Sequence, residues 1–161
     1  MEENLNSDKD EKGAAVRFPP PLIFILLILL AYEIHYFYPV NLGVVIGLKY
    51  AGVVIVLFAL GLIFYISRIF TKVETNIEPW KPTTTIISTG LFAYSRNPIY
   101  VAFCLVPIGM GIFLNSFWVL CSFLPSAFIV NFVVVKKEEA YLEKKFGAEY
   151  QQYKNRVRRW L

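Results

Sequence analysis

Four apolar runs, each close to the length needed to cross a bilayer, leave this chain few folds to choose from. They are Pro19 to Tyr38, about Leu48 to Phe70, Ile99 to Leu114, and Phe117 to Val135. About 20 apolar residues span the hydrocarbon core as a helix. In lipid each backbone polar group must be satisfied within the segment, so such runs read as helices. The balance of residues agrees: of 161 residues, 17% are charged and 57% hydrophobic, where a soluble domain carries about 25% charged residues. A soluble cytosolic enzyme, a disordered chain and a disulfide scaffold are all excluded on this ground. The single histidine argues against a His-based metal site or a Ser-His-Asp triad, and no metal is expected. Cys104 and Cys121 lie in apolar runs and report nothing about an oxidising compartment.

The expected fold class is all-α, a polytopic membrane helix bundle of about four transmembrane helices. Residues 1–17 are polar and mixed in sign and read as a disordered cytoplasmic tail. Residues 18–161 read as a single integral-membrane domain. Its spans are expected at about 19–38, 48–70, 99–114 and 117–135, with a cytoplasmic loop at 71–98 and a cytoplasmic helix at 136–155. The prolines at 19–21 suit a helix start, where a missing N–H costs little. Gly147 is a candidate stop for the last helix.

Orientation follows from Lys and Arg. Lys9, Lys12 and Arg17 precede the first span; Arg68, Lys72, Lys81 and Arg96 lie at or in the central loop; eight more lie in the tail. The opposite loops carry none besides Lys49, which can snorkel. Both termini and the central loop therefore face the cytoplasm by the positive-inside rule.

The third run rises only about 24 Å at 1.5 Å per residue, short of the roughly 30 Å core. Residues 99–135 thus read as a close helical hairpin. Gly109 and Gly111 on it read as packing positions rather than a phosphate loop, and the same holds for Gly43 and Gly47. A hairpin has a geometric consequence: Arg96, Asn97 and Pro98 at the start of one helix share a membrane face with Lys136, Lys137, Glu138 and Glu139 at the exit of the other. The carboxylate pair reads either as a solvated helix turn or, with Arg96, as the floor of a polar pocket. Arg156, Arg158, Arg159 and Trp160 read as an interfacial anchor to anionic headgroups. Glu33 and His35 read as a polar pair near the opposite interface or as a bundle contact, although an intramembrane ionisable group is also a functional candidate.

The string TTTIISTGLFAYSRNPIYVAF, followed after the hairpin by KKEEAYLEKKFGAEYQQYKNRV, resembles the isoprenylcysteine carboxyl methyltransferase family. That family belongs to a wider group of small membrane methyltransferases that includes the phospholipid N-methyltransferases. The resemblance covers roughly residues 72–159. It implies a methyltransferase that uses S-adenosyl-L-methionine, held at the cytoplasmic side by the loop before the third span and the helix after the fourth. By motif position it implies cofactor contacts at Ile87, Gly90, Phe92, Arg96, Asn97, Pro98, Tyr100, Glu138 and Glu139, with Arg96, Glu138 and Glu139 in the catalytic roles. Eukaryotic members carry His where this chain has Thr84, Tyr at Phe92, His at Asn97 and Gly at Ala102. They also carry an arginine shortly before the glutamate pair, where this chain has Val134 and Val135.

The residue types suit that donor, a sulfonium with an amino-acid end and an adenine. Arginine pairs a carboxylate bidentately, carboxylates take an ammonium or ribose hydroxyls, and Phe92, Tyr94 or Tyr100 offers an aromatic face. The acceptor is expected to be lipophilic, with membrane lipids as surroundings and no nucleic-acid partner. Two alternatives stay open: an NADPH-dependent enzyme like the sterol reductases, and a non-catalytic membrane scaffold. The departures at Thr84, Phe92 and Asn97 motivate the second.

Overall fold

The computed structural model describes residues 13–16 and 18–161. The helices, in chain order, are α1 (Pro20–Phe37), α2 (Ile46–Lys72), α3 (Pro98–Phe113), α4 (Phe117–Cys121), α5 (Phe123–Val130), α6 (Lys136–Phe146) and α7 (Ala148–Arg156). A 3₁₀ turn, Gly90–Ala93, interrupts the long loop, and a π-helical segment, Asn131–Val135, joins α5 to α6. Pro20–Phe37, Ile46–Lys72 and the continuous rod Phe117–Phe146 are long and apolar enough to cross a membrane, while Pro98–Phe113 is a shorter apolar helix. The described residues form an all-helical membrane bundle, as the hydrophobic runs dictate.

The chain divides into two compact units. The apolar unit comprises Pro20–Tyr65 and Ile99–Val130. Its helices meet through small residues. A Cβ added at Gly109 would lie 2.7 Å from the Gly52 carbonyl oxygen, and one added at Gly111 would lie 2.3 Å from the Leu120 nitrogen. Gly109 and Gly111 therefore serve close backbone approach, the usual use of small residues between membrane helices. By contrast, a Cβ at Gly47 would meet nothing within 4 Å. Ile28, Ala31 and Val119 form a buried cluster with Val106, Met110, Leu114 and Trp118 packed against it.

The hairpin turn has Asn115 at φ +53°, a conformation asparagine tolerates better than most residues. Ser116 then caps α4, its Oγ accepting from the Val119 N–H at 3.3 Å. The segment before α2 is pinned to this turn. The Val44 N–H donates to Asn115 Oδ1 at 3.0 Å, and Trp118 Nε1 donates to the Tyr38 carbonyl at 2.8 Å. Large apolar side chains along α2, among them Leu57, Phe58, Leu60 and Phe64, stay exposed, as a helix facing lipid requires.

The polar unit comprises the described part of residues 1–19 together with Ile66–Pro98 and Asn131–Leu161. The expected disordered tail differs at its end: the Gly13 and Ala14 N–H groups donate to the Trp80 and Pro79 carbonyls at 3.1 and 2.7 Å. Val16 is buried. The rest of that tail, with Lys9, Lys12 and Arg17, lies outside the described residues.

The helix expected over 136–155 is broken. Gly147 takes φ +52° and separates α6 from α7, a conformation open to glycine without the Cβ penalty. The break lets α7 turn, so that Tyr150, Tyr153 and Val157 form a core with Ile86, Leu142 and Phe146.

Candidate active site

The site lies within the polar unit and is built from three pieces of chain: the loop ending at Pro98, helix α6, and the C-terminal residues beyond α7. Gly90, at φ +61° with open space where a Cβ would sit, starts the 3₁₀ turn and so is a backbone requirement. The turn buries Phe92. Its ring meets Phe70 edge-on at 5.8 Å, and its carbonyl accepts from the Tyr153 hydroxyl at 2.8 Å. The chain then passes through Ser95, whose Oγ accepts from the Asn97 N–H at 3.1 Å.

Here the C-terminus joins in. The Arg96 N–H donates to the Arg158 carbonyl at 2.9 Å, and Asn97 Nδ2 donates to the Arg159 carbonyl at 2.9 Å. Residues 157–160 thus act as a strap across the Arg96-Asn97 corner.

On α6 the two glutamates part company. Glu139 is buried and Glu138 half-buried. A π-helical segment, Asn131–Val135, directly precedes α6. A π turn takes an extra residue per turn and rotates everything beyond it, and Val134 and Val135 are both fully buried there. Glu139 Oε1 lies 3.2 Å from Arg96 Nη1, with the two side chains only 9% and 8% exposed. Arg159 grips the same carboxylate with its fork: Nε donates to Oε1 at 2.9 Å and Nη2 to Oε2 at 2.7 Å.

One carboxylate thus faces two guanidiniums, with the Glu138 carboxylate near enough to act on the neighbouring Tyr150. The Arg96–Glu139 approach is an ion pair without hydrogen-bond alignment: the buried Nε and Nη1 of Arg96 have no hydrogen-bond acceptor among the described residues. Unsatisfied buried donors of this kind are uncommon and call for an explanation.

Tyr150 lies against the cluster. Burial pushes its hydroxyl up to about 12, with the Glu139 carboxylate adding to the shift and Arg96 opposing it. Burial also raises Tyr153. The hydrogen bonds from Arg159 to Glu139 hold the guanidinium still more firmly charged than usual.

Of the residues singled out from the sequence, Phe92, Arg96, Asn97, Pro98 and Glu139 come together in this unit, with Glu138 beside them. Ile87 is half-buried in the loop leading to the turn, and Tyr94 is 77% exposed. Tyr100 is buried on α3 and belongs to the apolar unit. Thr84 is engaged by its own loop: its Oγ1 donates to the Glu74 carbonyl at 3.1 Å, and its N–H donates to Thr75 Oγ1 at 3.0 Å. Glu33 is exposed; His35 is half-buried, with Nδ1 unpartnered among the described residues.

Sequence reasoning missed Arg159. Beyond the interfacial anchoring expected of it, Arg159 supplies the fixed counter-charge that a glutamate buried as deeply as Glu139 demands. A signal was present, since Glu139 required basic partners and the tail supplies many, but their choice depends on the turn at Gly147. Among the described residues no group of His, Cys, Asp and Glu could hold a metal ion.

An all-helical integral membrane protein with a buried arginine–carboxylate cluster is the class that fold and site define. A family model described as phospholipid methyltransferase matches residues 48–149, more than half of the chain, and the chain belongs to that family. Over 33 residues it is 54% identical to an uncharacterized protein of Haemophilus influenzae, covering 20% of this chain and 52% of that protein. Over 74 residues it is 34% identical to a protein-S-isoprenylcysteine O-methyltransferase of Schizosaccharomyces pombe, covering 45% of this chain and 30% of that enzyme. The chain thus spans about half the length of the first relative and under a third of the second.

Proposed function

We propose that this protein is a membrane methyltransferase that carries a methyl group from S-adenosyl-L-methionine to a lipophilic acceptor, like the isoprenylcysteine carboxyl methyltransferases. The observation that carries the reading is the buried guanidinium of Arg96, with donors lacking an acceptor beside a carboxylate already gripped by another arginine. The donor-set chemistry fits the amino-acid end of S-adenosylmethionine. Arg96 has hydrogen-bond capacity for its carboxylate, and Glu139 with Glu138 offers anionic oxygens to its ammonium or ribose hydroxyls. When bound, that donor supplies an already activated electrophilic methyl group.

The chain's own work is then alignment and exclusion of water. Holding two reactants in register is worth up to roughly 7–11 kcal/mol, and a dry site suppresses competing reaction with water. A carboxylate acceptor needs no base. For an amine acceptor, Glu138 or Glu139 is the side chain to receive the proton. Family membership and the relative from Schizosaccharomyces pombe support methyl transfer. The excess of Lys and Arg beside the central loop and after the fourth span supports a cytoplasmic site, with both termini on that side.

The test is calorimetric titration of detergent-purified protein with S-adenosylhomocysteine, followed by incubation with labelled methyl donor and a total lipid extract. Binding by the wild type, at least tenfold weaker in Arg96→Ala, and a labelled lipophilic product are expected. An intact, folded protein that takes up no S-adenosylhomocysteine overturns the reading.

A further inference from the structure

We infer that the C-terminal strap is part of the donor site and that Arg159 is a positioning residue: it holds the Glu139 carboxylate so that Arg96 keeps its guanidinium for the donor's carboxylate. This rests on the donor reading above and adds a residue and a segment to it.

The strap is attached at three kinds of contact. The carbonyls of Arg158 and Arg159 accept from the Arg96 N–H and from Asn97 Nδ2, each at 2.9 Å. Val157 is buried in the core with Tyr150 and Tyr153. The Arg159 side chain then reaches back to occupy both oxygens of Glu139, at 2.9 and 2.7 Å. The two arginines are not equivalent. Arg159 is about one-third exposed and meets Glu139 in fork geometry, while Arg96 is buried and meets it without hydrogen-bond alignment.

A carboxylate bound by a bidentate guanidinium has its strongest acceptor directions taken. Glu139 therefore has little pull left on Arg96, and the unsatisfied donors of Arg96 remain available. Remove the Arg159 fork, and Glu139 is expected to draw Arg96 into its own fork, closing those donors to a ligand.

Arg159 therefore acts through Glu139, and a double-mutant cycle separates this from a merely structural role for the strap. S-adenosylhomocysteine affinity is measured calorimetrically for wild type, Arg159→Gln, Arg159→Lys, Glu139→Gln and the double variant Glu139→Gln/Arg159→Gln, with thermal melting to verify folding. The expected result is at least tenfold weaker binding in Arg159→Gln. Arg159→Lys, which keeps the charge but loses the fork, is expected to recover only part of the loss. On the Glu139→Gln background, Arg159→Gln is expected to cost nothing further, because the group it positions is already gone. In turnover assays the loss should appear in KM for the donor, with KM for the lipophilic acceptor unchanged.

Wild-type affinity in Arg159→Gln, or the same loss on both backgrounds, overturns the inference while leaving the donor reading in place. Failure of the wild type to bind S-adenosylhomocysteine overturns the donor reading and this inference with it. If Arg159→Gln does not fold, Arg159→Lys decides: full wild-type affinity in that variant shows that the fork is not required.

Discussion

The apolar unit and the polar unit are held together by different physics. In the apolar unit, backbones approach through Gly52, Gly109 and Gly111 until no side chain fits between them. Its buried serines close onto their own helix: Ser126 Oγ donates to the Ser122 carbonyl at 2.7 Å. In the polar unit, long-range side-chain bonds do the joining, as from Tyr153 to the Phe92 carbonyl and from Asn97 to the Arg159 carbonyl. The difference teaches where each unit is vulnerable. Lipid offers helices no hydrophobic gain for associating, so close packing has to hold them. Near the interface polar partners can be specified one by one, and each one lost leaves another group unsatisfied.

Substitutions that remove charge should therefore act on the polar unit, and substitutions that add volume on the apolar one. Glu139→Ala has the largest expected effect. It strands the buried Arg96 guanidinium, and breaking a buried pair in this way costs about 3–5 kcal/mol; equilibrium unfolding in mixed micelles measures it. Gly111→Val follows, at about 3 kcal/mol, the upper end of the usual range for overpacking. The added carbons meet the Leu120 backbone rather than a flexible side chain. An unchanged unfolding midpoint would show that the hairpin can open there at little cost.

Alkaline pH should loosen the polar unit next. The Tyr150 hydroxyl is raised from 10.0 to about 12, so the folded state holds its proton more tightly than the unfolded chain. The stabilisation is fully present below pH 10 and is lost as pH rises toward 12, at roughly 2 kcal/mol for such a shift. Tyr150→Phe should flatten that part of the stability profile. The smallest effect is that of Tyr153→Phe, about 1 kcal/mol for one neutral hydrogen bond, read as a lowered melting temperature. If Tyr153→Phe proved as damaging as Glu139→Ala, the polar unit would owe its stability to its aromatic core rather than to its ion pairs.

Much of this molecule was legible along the chain. Hydrophobic run length placed the helices, because lipid leaves a spanning backbone no other partner than itself. That Arg96 and the glutamates on α6 share a membrane face followed from a two-helix hairpin, since antiparallel neighbours return to the face they left; that Arg96 meets Glu139 did not. Gly147 announced a stop. Which glutamate turns inward was not legible. Glu138 and Glu139 are adjacent and identical in type, and only the folded chain shows that Glu139 is the buried one. Nor was the role of Arg159. Eight basic residues crowd the chain beyond Val135, and their spacing carries no record of which one the bend at Gly147 returns to Glu139. Periodicity and hydropathy are local quantities, and they settled the elements and the faces they bury. The partner of a buried charge is set by a path through space, and only the folded chain, with its strap laid across the Arg96 corner, decided that.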